Sequence, residues 1–358
     1  LTGQVQVTQG GYGGPGGGGC GGIVESALTI INPSSLSMSA MGVAEAVLPV
    51  DLSFSPKTGT YALLSAGNAH TPTLGQVHRI GGQIVVPGSP DMGPGSGGGG
   101  GCISDAAVPM DGEAIALAYD ASDRLWVQTR EPAKLQLVDA PGTTVTLSTA
   151  SRADTAWAVF HSNSSASVAC ASCHPEGGED GRVWQFDKIG PRRTQSLRGH
   201  VGGTEPFHWG GDLPTFDALV GEVYLRRMAG PPLAPDQEQA LFAWINAIPT
   251  LPQSPPADAA AVTRGKALFE DTAHAACSSC HSGAELTNNA TVDVGTGGKF
   301  QVPRLVGVGW RAPFLHDGCA ATLTDRFTSC GGTTDLHGVT SGLTAAQVAD
   351  LVAYLSTL

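Results

Sequence analysis

Two copies of one five-residue motif constrain this chain more than any other feature: Cys170-Ala-Ser-Cys173-His174 and Cys277-Ser-Ser-Cys280-His281. Cys-x-x-Cys-His is the attachment signature of c-type haem. Its two thiols add across the vinyl groups, and the adjacent histidine supplies the proximal iron nitrogen. A zinc site or a thioredoxin-type redox pair also uses closely spaced cysteines. Zinc would want a nearer second pair of Cys or His ligands, and a thioredoxin motif opens a helix after a strand. The motifs therefore predict two covalently bound haem c groups, with His174 and His281 as proximal ligands.

Eight cysteines are present in all, four of them in the motifs. The remainder fall into two local groups, Cys20 with Cys102 and Cys319 with Cys330, which allows two disulfides with none left over. That parity fits an oxidising compartment, so a periplasmic, extracellular or cell-surface location is expected. Leu1 opens directly onto strand-like sequence with no leader. The chain reads as mature or truncated, and export is inferred from its chemistry. No apolar run reaches the roughly 18–20 residues that span a bilayer. The net charge of −12 argues against nucleic acid or an anionic membrane as partner and is compatible with a basic redox protein.

The 358 residues allow two or three domains. Only 14% are charged and 50 are glycine, a composition of turns and loops. Residues 1–150 read as all-β: Gln4–Gln9 alternates polar and apolar, and 23–31 is a second strand. Two strand–turn–strand segments, 50–63 and 115–127, resemble blades of a β-propeller. They are spaced more widely than the usual blade period of about 40–50 residues, and Gly-rich stretches at 10–22 and 93–101 account for the excess. Too few blades are present to close a ring. The region is either a partial propeller completed by another segment or chain, or a smaller sandwich.

From 151 the texture becomes helical, with helices expected at 153–161, 213–228, 235–248, 257–271 and 343–358. Helix, motif, loops and helix occur twice. The expected organisation is a β-rich domain (1–150) followed by two all-α class I cytochrome c domains (151–252 and 253–358).

The C-terminal unit carries Gly265-Lys266-Ala267-Leu268-Phe269, Phe300-Gln301-Val302-Pro303-Arg304-Leu305, Ala312-Pro313-Phe314-Leu315-His316-Asp317-Gly318 and Thr322-Leu323 around its motif. The first unit carries Gly190-Pro191-Arg192-Arg193 and Phe207-His208-Trp209-Gly210-Gly211-Asp212. Over 160–358 this resembles the bacterial dihaem cytochrome c peroxidase/MauG superfamily. The resemblance implies a haem that reacts with H2O2, a second haem that feeds it electrons, and Trp209 between them. A small redox protein is the implied partner. His316 matches the family histidine near the second haem, with a propionate-contacting or supporting role.

The departures bear on the distal ligands. Cys330 stands where the family has a methionine, so a disulfide with Cys319 replaces that ligand. His337 then becomes the leading distal ligand of the second haem. The only methionine of the cytochrome region is Met228. The family's switchable distal histidine has no counterpart near Trp184. His208 is the leading distal candidate at the first haem, as ligand or as acid/base on peroxide, with His200 behind it and Glu222 as the pocket carboxylate. The family's calcium site uses an Asn where this chain has Arg193, which puts calcium in question. An oxidoreductase is the first expectation. A pure electron carrier with both haems bis-His ligated, His174/His208 and His281/His337, is the second.

Overall fold

The computed structural model describes residues 4–9, 24–31, 33–36, 38–43, 46–67, 76–80, 107–186, 188–253, 255–256, 258–330 and 335–358. Cys20, Cys102 and the Gly-rich stretches lie outside them. The chain divides into two compact units, Leu1–Ser172 with Val223–Leu241, and Cys173–Glu222 with Phe242–Leu358.

The first unit is β-rich. Strands β1 (Gln4–Gln9), β2 (Val24–Ile31) and β3 (Met38–Val43) form one antiparallel sheet in chain order. A second meander contains β4 (Pro49–Ser55), β5 (Thr60–Ser65), β6 (Gln76–Ile80) and β7 (Val108–Pro109). A third contains β8 (Ala114–Tyr119), β9 (Leu125–Thr129), β10 (Lys134–Leu137) and β11 (Ala140–Thr146). The two four-stranded sheets share a core of Leu64, Val77, Met110, Leu117, Leu125 and Val127, the inward residues of alternating strands. Their first strands are tied by Asp51, whose Oδ2 accepts from the Leu117 amide at 2.8 Å. Helix α1 (Thr155–His161) is capped by Asp154, and α2 (Cys170–Cys173), the single turn that carries the cysteines of the first motif, ends on the first residue of the second unit.

The second unit is mainly helical, with two hairpins added to the all-helical expectation. One pairs β12 (Val183–Phe186) with β13 (Gly190–Arg193). The segment expected as one helix at 213–228 begins as α3 (Phe216–Leu219) and continues as a π-helical stretch, Val220–Arg227, that carries Glu222 and passes into the first unit at Val223. Such widened turns are rare and gather at functional sites. Next come α4 (Pro235–Ala247), which enters the second unit at Phe242, and α5 (Ala259–Glu270). The second hairpin pairs β14 (Thr291–Asp293) with β15 (Lys299–Gln301), turning through Gly295 and Gly297 at positive φ.

Helices α6 (Leu323–Thr328) and α7 (Ala345–Leu355) each start at a threonine capping box, with Asp325 and Gln347 as the reciprocal partners. Phe269 of α5 packs with Val308 and with Leu351 and Leu355 of α7. The two helices cross at Gly265, where a Cβ would overlap the Asp350 carbonyl. Arg264 and Asp350 close the crossing with bonds of 2.8 and 2.7 Å. Among the described residues no helix is long and apolar enough to cross a membrane.

Candidate functional site

The second motif opens one wall of a cavity of about 430 Å³. Cys277 and Cys280 lie on the 3-10 turn Cys277–Ser279 and its C-cap, and His281 follows at once. The His281 Nδ1–H donates to the Leu286 carbonyl at 3.1 Å. That bond fixes the ring tautomer and leaves Nε2 as the free donor atom for a metal.

His337 enters the same cavity from a loop held on both sides. Asp335 accepts from the Thr340 and Ser341 amides at 2.9 Å and from the Ser341 hydroxyl at 2.7 Å. Val339 N donates to Ala275 O at 3.1 Å. Gly338, at φ +79°, lies so close to Ala275 O that a Cβ would approach it to 2.8 Å. The loop is thus moored to the backbone that leads into the motif. The His281 and His337 rings face each other with centroids 6.3 Å apart and planes 37° apart. Two imidazole–metal bonds of about 2.0–2.1 Å each fit within that separation. Burial is the main cause that holds both rings neutral, pushing His281 down to about 4 and His337 to about 3. A neutral imidazole is the form that binds metal.

Much of the remaining lining is apolar, including Phe269, Val302, Val308, Phe314, Leu323 and Leu351; its polar members are Asp293, Thr296, Gln301, His316, Thr340 and four arginines, Arg193, Arg304, Arg311 and Arg326. Burial lowers the pKa of each arginine. Three keep a buried N–H without an acceptor, namely Arg193 Nε, Arg311 Nε and Arg326 Nη1. Orphaned buried donors are costly and call for an acceptor. An apolar slot with two free thiols, two facing imidazoles and a cationic rim fits haem c, whose macrocycle is apolar and whose propionates are anionic.

Trp209 belongs to this wall. Its Nε1 donates to Arg193 O at 2.7 Å, and its own carbonyl accepts from Gln301 N at 2.8 Å. His316 is buried, stacks on Phe300 at 3.8 Å and meets Trp209 edge-on at 6.3 Å. Arg193 also bonds the Glu179 carboxylate and the Arg311 carbonyl. A fixed guanidinium therefore stands among the oxygens of this region. Among the described residues no group of three His, Cys, Asp or Glu could hold a metal ion.

At the first motif, the His174 Nδ1–H donates to Gly178 O at 3.3 Å, the same arrangement as at His281. Burial lowers its pKa. Gly177, at φ +71°, lets this loop close against Ile248 where a side chain would collide. The histidines expected opposite it lie in turns. His208 (φ +68°) has Nδ1 3.6 Å from Asp212 Oδ1, and His200 sits at φ +60°. In the first unit, the Met228 carbonyl accepts from Ala166 N. Cys319 and Cys330 form a disulfide that closes over α6. The structure adds Arg304, Arg311 and Arg326 as site residues. No spacing in the sequence singles them out, since they meet only through tertiary packing.

Residues 262–358 match the model of the cytochrome c family. That stretch is a cytochrome c domain, and such a domain carries covalently bound haem c. The chain is 27% identical to hydrazine synthase subunit gamma of Kuenenia stuttgartiensis over 270 residues, 57% of this chain and 74% of that protein. Among solved structures, xenon-pressurised hydrazine synthase of the same organism aligns at 25% identity and a TM-score of 0.49. That alignment covers 57% of this chain and 84% of its own. A MauG-like protein associated with microbial copper homeostasis aligns at 20% identity and a TM-score of 0.43, covering 55% and 83%.

Proposed function

We propose that this chain is an extracytoplasmic dihaem oxidoreductase of the peroxidase/MauG type. In this reading the second haem is a closed electron-transfer centre and the first is where H2O2 reacts. The observation that carries it is the facing pair His281 and His337, which would hold one iron from both sides and leave it no site for substrate. A six-coordinate haem passes single electrons. The chemistry would then fall to the haem that Cys170, Cys173 and His174 would hold.

Covalently bound haem supplies the redox change. The chain's own residues bind, orient and conduct. His174 and His281 are fixed by backbone carbonyls. Trp209, clamped by Arg193 O and Gln301 N, lies in the wall of the second site and suits a path between centres. His208, with the Asp212 carboxylate 3.6 Å from its Nδ1, is the group to move a proton on peroxide, with Glu222 as the supporting carboxylate. The net reaction takes H2O2, two protons and two electrons to two waters, the electrons coming from a small redox protein or from an organic or protein substrate. Arg193 already meets Glu179, so the reading needs no calcium.

The same facing pair also fits a chain that only conducts electrons. H2O2 added to the reduced holoprotein separates the two. Rapid oxidation of both haems with a spectral change at the first supports the enzyme, whereas two spectra indifferent to H2O2 leave only the conductor. A mass lower than the polypeptide plus two haems would end both readings.

The paired four-stranded meanders support a propeller-like N-terminal region completed by another segment or chain. The name of the 27% identical relative, a subunit, points the same way. Native mass measurement tests whether the chain works in a larger assembly.

A further inference from the structure

We infer that Arg326 is a positioning residue of the second haem site: it fastens the loop that bears His337 and keeps an unpaired positive charge beside the iron that favours the ferrous state. This rests on His337 being the sixth ligand.

Arg326 leaves α6 with only 8% of its surface exposed. Its Nη2 donates to the His337 carbonyl, its Nη1 has no acceptor, and its guanidinium lies 5.4 Å from the Phe327 ring centre. Two other arginines of the cavity are answered by acids, Arg193 by Glu179 and Arg304 by Glu285, while Arg311 Nη2 donates to the Arg304 carbonyl. Among the described residues no carboxylate pairs with Arg326. Arg326 lines the same cavity as Cys277, His281 and His337. Its bond to the His337 carbonyl sets its guanidinium on the wall that would hold the iron.

The helix that presents it is fixed twice. The Thr322–Asp325 box holds its start, and the Cys319–Cys330 disulfide bounds it. Arginine stays charged even when buried. Reduction removes one positive charge from the iron, so a nearby buried cation without a counterion stabilises the reduced form. The bond to His337 O supplies the positioning, and the charge supplies the bias.

The test uses the dihaem holoprotein and spectroelectrochemical titration of each haem. Arg326→Gln removes the charge and keeps a donor for His337 O. It is expected to lower the ferrous-to-ferric ratio of the second haem about tenfold at fixed ambient potential, a fall of about 59 mV for one electron, with the low-spin spectrum kept. Arg326→Met removes both and is expected to add a high-spin fraction. Arg326→Lys restores the midpoint. A midpoint unchanged in Arg326→Gln while the spectrum stays low-spin overturns the inference and leaves His337 as ligand. An unchanged low-spin spectrum in His337→Ala overturns the ligand reading itself. If Arg326→Met fails to take up haem, the Gln and Lys variants still decide.

Discussion

The imidazoles of His281 and His337 face each other across one cavity with their centres 6.3 Å apart, although 55 residues of chain, including a hairpin and a disulfide-bounded helix, separate them. Replacing His337 with alanine is expected to open the sixth position of one haem. Its ferric spectrum should pass from low-spin to high-spin, while the other haem stays as it was. A high-spin change at the haem of the first motif instead would place His337 elsewhere.

Acid should weaken this site. Both rings are held below the ordinary histidine range, near 4 for His281 and near 3 for His337, burial being the largest cause. A histidine whose folded value lies below its unfolded value of about 6.5 contributes its full stability above that pH. The contribution is lost as pH falls from there toward 4 and 3. Bound iron keeps the sign, because a protonated nitrogen cannot ligate. Thermal unfolding between pH 7.5 and 4 should show Tm falling with pH, and His337→Ala should flatten that slope. Equal slopes in the two proteins would remove His337 from the acid response.

Trp209→Phe keeps an aromatic ring and removes the 2.7 Å bond to Arg193 O. A loss of about 1 kcal/mol is expected in denaturant unfolding, with slower electron exchange between the haems in stopped-flow measurements. Full exchange speed would take the indole out of the path.

Two substitutions test the frame. Gly265→Ala pushes a methyl into the Asp350 carbonyl at the α5–α7 crossing and should cost about 3 kcal/mol by overpacking. Opening the Cys319–Cys330 link with serines should cost about 2–3 kcal/mol. It should also raise hydrogen exchange at α6. Both are read by chemical denaturation of the haem-loaded protein.

Much of this was legible in the chain itself, for stated physical reasons. Apolar residues spaced by one helical turn announced α5 and α7, and Val348, Leu351 and Leu355 are buried as that stripe requires. Strict alternation announced β1, and polar turns between apolar runs announced β4–β5 and β8–β9. The hairpins at β12–β13 and β14–β15 are too short, at three or four residues per strand, for periodicity to register. The π-helical stretch at Val220–Arg227 has the same apolar pattern as an α-helix, so only its hydrogen bonds distinguish it. The residues of the CxxCH motifs are local, and local order is what a sequence displays. The buried arginines come together from β13, the loop after β15 and α6, a meeting created by packing alone.

The measurement closest to the central claim is the low-temperature ferric EPR spectrum of the holoprotein, with both haems resolved. The account predicts that the haem of Cys277 and Cys280 gives a low-spin signal of two-imidazole type that is lost in His337→Ala. A high-spin signal from that haem in the unaltered protein would contradict it.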